Sequence, residues 1–374
     1  MKDNPLLKLE HFGQSIWMDF IQRGMIESGE LKKLIEEDGL GGVTSNPSIF
    51  DKAIADSHDY DAAVRAMALE GRNVDQIYEL LTVEDIQNAA DLFRPVYDRL
   101  GGADGFASLE VSPDLAHDTD GTIAEARRLW TALARPNAMI KVPATKEGLP
   151  AIQQLVGEGI NVNVTLLFGL PRYRQVAEAY IAGLEILASQ AKPLKSVASV
   201  ASFFLSRIDV LLDPTLEKLM ATDKSRAGFA GRCHGQVAIY SAKAAYQIYK
   251  EIFGSERFGR LKAQGAKPQR LLWASTSTKN PAYSDLKYVE ALIGPETIDT
   301  IPLKTLAAYR DHGKPAPRLT EDAVEASETL QRLGELGIDL DAATQQLEDE
   351  GIDKFVKAFD ALLNTLKEKQ SRTR

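Results

Sequence analysis

The stretch Met139-Ile140-Lys141-Val142-Pro143-Ala144-Thr145 places a lysine inside an apolar run. In an extended strand, successive side chains point to opposite faces, so Ile140 and Val142 share one face and Lys141 lies on the other. The run is too apolar for an ordinary solvated surface. We expect Pro143 to end the strand ladder, because it has no N–H to donate. The stretch predicts a buried strand with a lysine near its carboxyl end.

Seven further apolar or alternating runs recur along the chain, each followed by residues with helical periodicity. Strands that alternate with helices predict βαβ units and a parallel sheet, and eight strands are the number that closes a TIM-type barrel. A doubly wound sheet would more often carry a glycine-rich phosphate loop, and no G-x-G-x-x-G follows the first run. The sequence therefore predicts an α/β fold, a (β/α)8 TIM barrel, with strands at Ser15–Phe20, Gly42–Ser45, Phe106–Val111, Ala138–Val142, Ile160–Leu167, Lys195–Phe204, Arg270–Ser275 and Thr297–Ile301.

Two connections are longer than one crossover helix, and the chain continues past the last strand. We expect residues 1–374 to form a single barrel domain with helical insertions at about 51–104 and 206–267, and a helical C-terminal extension at about 314–370. In the first insertion, Val74–Leu100 predicts two helices, because the acidic residues after Thr82 are typical of a helix start. In the extension the periodicity predicts helices at Thr320–Leu336, Leu340–Leu347 and Ile352–Lys369.

Composition excludes several classes of function. The chain has 44 basic and 53 acidic residues, a net charge of −9, and no basic run, so nucleic acid and anionic membrane are not expected partners. A single cysteine, Cys233, fits a reducing compartment. The first five residues lack the apolar core of a signal peptide, and no segment approaches 18 uncharged apolar residues. From the cysteine content and these absences we expect a cytoplasmic protein. The five histidines are scattered, so we expect no transition-metal site.

Polar residues recur where the predicted strands end, which is the face where TIM barrels gather functional groups. A buried amine favours its neutral form, and a neutral amine is the nucleophile that forms a Schiff base with a ketone. A carboxylate near Lys141 could protonate the departing hydroxyl, and a second could take a proton from the hydroxyl whose C–C bond breaks. The alternatives are a lysine that reaches solvent, an ion pair between it and Glu110, and an aspartate that caps a turn. The strand-end residues are Asp19, Thr44 with Asn46, Glu110, Lys141, Thr165, Ser202 and Ser275.

Six stretches, in order, resemble transaldolase in its longer bacterial form. They cover roughly residues 12 to 305, and the T-S-N-P, I-K-V-P-A-T and N-V-T-L-L-F runs are each fairly specific. The stretches are Ser15-Ile16-Trp17-Met18-Asp19, Gly42-Val43-Thr44-Ser45-Asn46-Pro47, Ser108-Leu109-Glu110-Val111, Ile140-Lys141-Val142-Pro143-Ala144-Thr145, Ile160-Asn161-Val162-Asn163-Val164-Thr165-Leu166-Leu167-Phe168 and Ser202-Phe203-Phe204-Leu205-Ser206-Arg207.

The resemblance implies roles for the strand-end residues. Lys141 would be the Schiff-base nucleophile, Glu110 the acid and base acting through a water held by Thr165, and Asp19 the base at the bond-breaking hydroxyl. Asn46 and Asn163 would contact substrate hydroxyls, with Thr44 beside them. The resemblance implies no metal and no organic cofactor.

The distal phosphate of such a substrate requires cations or helix N-terminal N–H groups. Arg207, at the start of the helix after the sixth strand and beside Ser202 and Phe204, is the candidate. The alternative is a surface arginine paired with Asp209 or Asp213. Compact family members place an arginine two residues after the serine of strand seven. This chain instead reads Ser275-Thr276-Ser277-Thr278-Lys279, so Lys279 is the candidate second cation.

The implied reaction moves a dihydroxyacetone unit from sedoheptulose 7-phosphate or fructose 6-phosphate to an aldose phosphate, erythrose 4-phosphate or glyceraldehyde 3-phosphate. This is a transferase step of the non-oxidative pentose phosphate pathway. Two other interpretations stay open. A lyase of the fructose-6-phosphate aldolase type would make the same Lys141 enamine and release dihydroxyacetone, and a barrel without catalysis would only bind sugar phosphates. The sequence leaves open whether the protein is a monomer or a homodimer.

Overall fold

The computed structural model describes residues 4–371, and its parallel strands close into a barrel in sequence order. Each strand pairs with its neighbour in the sequence, and the eighth pairs back onto the first. The strands are buried on both faces, as expected where helices cover the outside of a parallel sheet. The predicted (β/α)8 fold is confirmed. The strands are Gln14–Met18 (β1), Gly42–Thr44 (β2), Phe106–Glu110 (β3), Ala138–Pro143 (β4), Val162–Leu167 (β5), Ser199–Phe204 (β6), Arg270–Ala274 (β7) and Thr297–Ile301 (β8).

Strand ends differ from the predicted ones for identifiable reasons. Pro143 does not end the ladder: it stays paired with Thr165. The hydrogen bond to β5 is donated by the next N–H, that of Ala144, over 2.8 Å to the Thr165 carbonyl. The sixth strand begins at Ser199 rather than Lys195, because Leu194–Ser196 forms a 3-10 turn.

Helices fill the connections and the tail. Within the described residues the α-helices are Arg23–Glu27 (α1), Glu30–Asp38 (α2), Pro47–Ala55 (α3), Asp61–Leu69 (α4), Val74–Arg99 (α5), Thr119–Leu133 (α6), Gly148–Glu158 (α7), Leu170–Ser189 (α8), Ser206–Thr222 (α9), Ala227–Cys233 (α10), Val237–Phe253 (α11), Glu256–Lys262 (α12), Lys287–Ala291 (α13), Leu303–His312 (α14), Ala323–Gln331 (α15) and Leu340–Ser371 (α16).

The prediction of two helices in Val74–Leu100 is wrong, because α5 runs without interruption from Val74 to Arg99. The Thr82 hydroxyl donates back to the carbonyls of Tyr78 and Glu79, at 3.0 and 3.2 Å, which satisfies it within the helix. The true start is capped by Asn73, which forms a reciprocal capping box with the side chain of Gln76.

The tail ends in one long helix rather than the two predicted, because α16 continues through Gly351. A Cβ at this glycine would lie 3.0 Å from the Leu166 side chain, so the glycine lets the helix approach the end of β5. The ion pair between Arg172 and Glu348, at 3.3 Å and almost fully buried, fixes the start of α16 to α8. Lys369, near its other end, bonds Asp61 of α4 at 2.5 Å. The helix therefore crosses the barrel at the carboxyl ends of its strands.

The organisation of the chain as one domain stays a prediction, and the attachment of α16 to α4 and α8 supports it. Large aromatic side chains fill the spaces around the sheet, among them Trp17, Trp273 and Phe203, each fully buried. Among residues 4–371 we find no helix with the length and apolar composition needed to cross a bilayer.

Candidate active site

A cavity of about 530 Å³ opens where the strands end at their carboxyl termini. This volume is in the range of cavities that hold small molecules. Strand ends or the loops directly after them contribute most of its wall, and α16 contributes Phe355. We call it the substrate cavity. Of the predicted site residues, those that line it are Asp19, Thr44, Asn46, Lys141, Thr165, Ser202, Phe204, Arg207, Ser275 and Lys279.

Lys141 and Glu110 lie side by side because β3 and β4 pair in register at these two positions. The Lys141 Nζ is 3.1 Å from Glu110 Oε2 and donates a 2.8 Å hydrogen bond to the Ser45 carbonyl. Lys141 is 4% exposed and Glu110 5%, so the alternative of a lysine that reaches solvent does not hold. The ion pair of the other alternative is present, and a proton transfer between the two groups requires the same geometry.

Burial changes the acidity of both carboxyl groups in the site. Burial raises the pKa of Glu110 above its ordinary value, against the opposing charge of Lys141. Burial likewise raises the pKa of Asp19, against the lysine charge and the hydrogen bond that the Thr44 hydroxyl donates to it over 2.8 Å. A carboxyl group whose pKa is raised holds a proton more readily than an exposed one, which suits it to proton transfer.

Thr165 presents a hydroxyl with no hydrogen-bond partner in the described part of the chain, although its side chain is fully buried. A buried hydroxyl in this state is available to a water or a substrate. The next residue, Leu166, has a φ of 53°, and Ser275, directly after β7, has a φ of 54°. Positive φ values at residues other than glycine are strained and are frequent at functional sites. Leu166 also marks an irregularity in the pairing of β5 with β6.

The two asparagines differ in their placement. Asn46 lines the substrate cavity, and its side-chain oxygen also caps α3 by accepting from the Ile49 N–H at 3.0 Å. Asn163 does not line the cavity. Its side chain is fully buried, donates to the Ser108 hydroxyl at 3.1 Å and accepts from the Ser202 hydroxyl at 2.7 Å. The structure therefore places Asn163 behind Ser202, away from the cavity surface.

Arg207 faces the substrate cavity and is not paired with either aspartate of the alternative interpretation. Asp209 instead accepts from Tyr288 and the Ala238 N–H, and Asp213 from Tyr283 and the Gly235 N–H. The Nη1 of Arg207 is buried without a hydrogen-bond partner among residues 4–371, and desolvation lowers the pKa of its guanidinium.

Lys279 lies in the same wall as Arg207. Its Nζ donates a 2.6 Å hydrogen bond to the Ser277 hydroxyl. Partial desolvation at the cavity wall lowers the pKa of Lys279, and the neighbouring guanidinium of Arg207 acts in the same direction. Two neighbouring cations in the wall of a cavity are suited to bind an anion.

Several lining residues were missed by the sequence analysis. Lys52 on α3 and Lys304 on α14 add two more cations, and Thr300 on β8 shares a 2.8 Å hydrogen bond with Thr44. The sequence could have indicated Lys304 and Thr300, because both lie at or just after the end of a predicted strand. No pattern in the sequence indicated Phe355 as a site residue, since it follows the last strand by more than fifty residues. Within residues 4–371, no three histidine, cysteine, aspartate or glutamate side chains are grouped so as to hold a metal ion.

Comparison with known proteins gives one consistent result. The family model described as Transaldolase/Fructose-6-phosphate aldolase matches residues 16–366. The chain is 49% identical to the Transaldolase of Trichodesmium erythraeum, over 99% of this chain and 98% of that protein. It is 47% identical to the Transaldolase of Saccharopolyspora erythraea, over 98% of both chains, and 45% identical to that of Thermobifida fusca, over 96% of this chain and 97% of the relative.

Proposed function

The chain belongs to the transaldolase family and is a transferase, and we propose that it moves a dihydroxyacetone unit from a ketose phosphate to an aldose phosphate through a Schiff base on Lys141. The donors are sedoheptulose 7-phosphate or fructose 6-phosphate, and the acceptors are erythrose 4-phosphate or glyceraldehyde 3-phosphate. The observation that carries this proposal is the buried Lys141 amine, 3.1 Å from the Glu110 carboxylate, at the base of a cavity with cationic walls.

In the first half of the reaction, the neutral Lys141 amine adds to C2 of the ketose to give a carbinolamine. Glu110, in its acid form, protonates the C2 hydroxyl, which leaves as water and yields the iminium and the Glu110 carboxylate. The raised pKa of Glu110 favours the acid form that this step needs. The unpartnered hydroxyl of Thr165 is available to hold the departing water.

In the second half, the Asp19 carboxylate takes the proton of the C4 hydroxyl, the C3–C4 bond breaks, and an aldose phosphate departs. The electron pair stays on the Lys141 adduct as an enamine. The enamine attacks the aldehyde carbon of the acceptor, whose new hydroxyl receives the proton from Asp19. Water then hydrolyses the iminium and restores the free lysine. The hydrogen bond from Thr44 orients the Asp19 carboxylate for this exchange.

The phosphate of the substrate is held at the far wall of the cavity. Arg207 and Lys279 provide adjoining cations, and Lys52 and Lys304 lie in the same lining. Guanidinium donors bind phosphate oxygens in a bidentate way, whereas ammonium groups act as point charges. We assign Asn46 and Ser275 to the sugar hydroxyls, and Asn163 to orienting Ser202 beneath the substrate.

Borohydride reduction in the presence of fructose 6-phosphate, followed by peptide mass mapping, tests the proposal. We expect the added mass of a reduced sugar adduct on Lys141. An unmodified chain would instead indicate a protein that only binds sugar phosphates. Rates measured with and without erythrose 4-phosphate then separate transfer from the release of free dihydroxyacetone. A transferase needs the acceptor for turnover.

The place of this reaction in the non-oxidative pentose phosphate pathway follows from the proposed substrates. A cytoplasmic location is part of the proposal. It is supported by the single cysteine, Cys233, which is buried and free.

A further inference from the structure

Glu110 borders a second cavity that is distinct from the substrate cavity. This cavity, which we call the side cavity, has a volume of about 270 Å³ and lies between α5 and α6, next to α16. Its lining runs from the exposed residues Asp75 and Asp114 inward to Leu109 and Glu110. Glu110 is 95% buried, and its Oε1 has no hydrogen-bond partner in the described part of the chain. The side chain of Glu110 therefore lies between Lys141 and the side cavity.

The tail helix separates the two cavities. Phe355 of α16 lines the substrate cavity, whereas Phe359 and Leu363, one and two turns further along the helix, line the side cavity. Phe359 packs edge-on against Tyr78 of α5, with the ring centroids 5.1 Å apart. A single helix thus forms part of the wall of both spaces.

The two cavities carry opposite charge. Among the described residues that line it, the substrate cavity has five cations, which are Lys52, Lys141, Arg207, Lys279 and Lys304, and one carboxylate, Asp19. The side cavity has one cation, Arg128, and five carboxylates, which are Asp75, Glu79, Glu110, Asp114 and Glu125. An anionic sugar phosphate is attracted to the first and repelled by the second, since like charges raise the free energy of the ion in a confined space. A water molecule has no net charge and is neither attracted nor repelled in this way.

We propose that the side cavity is the route by which water reaches and leaves Glu110 while a sugar phosphate occupies the substrate cavity. This inference rests on the proposed function, because it concerns the water that Schiff-base formation releases and that hydrolysis consumes. The N–C2 bond forms, the C2–O bond breaks, and the C2 oxygen departs as water with a proton from Glu110. The oxygen that later returns to C2 during hydrolysis comes from the water then beside Glu110. An open side cavity exchanges that water with the solvent.

Oxygen labelling measures this exchange. Fructose 6-phosphate with ¹⁸O at C2 is the donor, erythrose 4-phosphate the acceptor, and the C2 oxygen of the sedoheptulose 7-phosphate product is analysed by mass spectrometry after short reactions. Spontaneous exchange of the free sugars is subtracted from enzyme-free samples. We expect the wild-type enzyme to lose most of the label, because the released water leaves before hydrolysis.

Two substitutions fill the side cavity at different depths. Glu79→Trp fills its rim on α5, and Leu363→Trp fills its α16 wall. Each should raise the fraction of product that retains the label severalfold. The matched controls are Glu79→Gln, which keeps the cavity open, and Asp360→Trp, which adds the same ring to the exposed face of α16. Both controls should behave as the wild type does.

The outcomes separate the route from the function. Unchanged loss of label in Glu79→Trp and Leu363→Trp, with turnover intact, would overturn the route, as would full retention of label by the wild type. If Leu363→Trp fails to fold, the rim substitution Glu79→Trp decides alone. Absence of a borohydride-trapped adduct in the wild type would overturn the proposed function and the route together. If the wild type forms the trapped adduct and the two cavity-filling variants lose the label as the wild type does, only the route is overturned.

Discussion

Lys141 is held by two oxygens of different character, the carboxylate of Glu110 and the backbone carbonyl of Ser45. A carboxylate is able to exchange protons, whereas a backbone carbonyl only accepts a hydrogen bond and so fixes the direction of the amine. A flexible lysine side chain held from two sides has little entropy left to lose when it attacks a substrate. At this scale the site depends on a few short contacts made by buried groups.

Lys141→Arg should abolish turnover, by roughly 10⁴-fold or more, because a guanidinium keeps its proton and cannot act as the nucleophile. Circular dichroism and the thermal unfolding midpoint should show a folded protein, since the charge beside Glu110 is retained. The measurement is the transfer rate on cleanly purified protein. Turnover near the wild-type rate would exclude Lys141 as the nucleophile.

Arg207→Ala should raise KM for phosphorylated donors by about 10- to 100-fold, which corresponds to one charged hydrogen bond of about 1.5–3 kcal/mol. Unphosphorylated dihydroxyacetone donors, which make no such bond, should be nearly unaffected. Arg207→Lys, which keeps the charge but loses the fork of donors, should lie between the two. Equal effects on both classes of donor would remove Arg207 from the phosphate site.

At the scale of elements, α16 forms part of the barrel mouth. The helix comes from the tail, yet Phe355 lines the substrate cavity and Gly351 packs against the end of β5. Its start is attached to α8 by the ion pair between Arg172 and Glu348, which is almost fully buried. A buried pair is costly to break from one side, because the remaining charge is left without a partner.

Glu348→Ala should therefore destabilise the docking of α16 by about 3–5 kcal/mol and raise KM for the donor. Hydrogen exchange followed by mass spectrometry should show faster exchange in residues 340–371 than in the barrel strands. Lys354→Ala is the control, because it removes only a solvent-exposed pair with Glu350 within the same helix, and such pairs contribute little to stability. Equal protection in Glu348→Ala and the wild type would show that α16 is held by other contacts.

At the scale of the whole molecule, charge is distributed unevenly. A chain of net charge −9 carries a substrate cavity rich in cations and a side cavity rich in carboxylates. Asp299 is a buried carboxyl group that lines neither cavity. Asp299 precedes the inward-facing Thr300 on β8, and successive side chains of a strand point to opposite faces. The Asp299 side chain therefore points into the helical layer, where it is fully buried. Burial raises its pKa to about 8, and the Thr276 hydroxyl opposes this only in part.

Asp299 makes stability depend on pH in a defined direction. In the unfolded chain its pKa is near the ordinary value of 3.8, so between about pH 4 and pH 8 the unfolded state loses a proton that the folded state keeps. The wild type should become less stable as the pH rises through this window, and the loss should level off above pH 8. Asp299→Asn, which does not titrate, should match the wild type near pH 4 and exceed it by about 2–5 kcal/mol at pH 8. Urea unfolding at several pH values measures the difference. A constant difference across the range would contradict it.

The barrel could be predicted from the sequence, because hydrophobic periodicity and polar strand ends are local patterns that are still present in the folded sheet. The lysine run, the strand of Glu110 and the strand of Thr165 lie next to one another because strands of this barrel pair in sequence order. The cationic candidates Arg207 and Lys279 could be found for the same reason, since each follows a strand end. Local signals also misled: the acidic residues after Thr82 resembled a helix start, although the helix had already begun at Val74.

What the sequence determined by itself was therefore the fold and the residues carried by neighbouring strands. Tertiary structure alone decided the rest. Phe355 reaches the substrate cavity only because α16 folds back across the barrel, and the Ser45 carbonyl meets Lys141 only because the strands close into a ring. The placement of Asn163 behind Ser202 was decided in the same way. Contacts between distant parts of the chain depend on packing, whereas composition and periodicity record only what lies within a few residues.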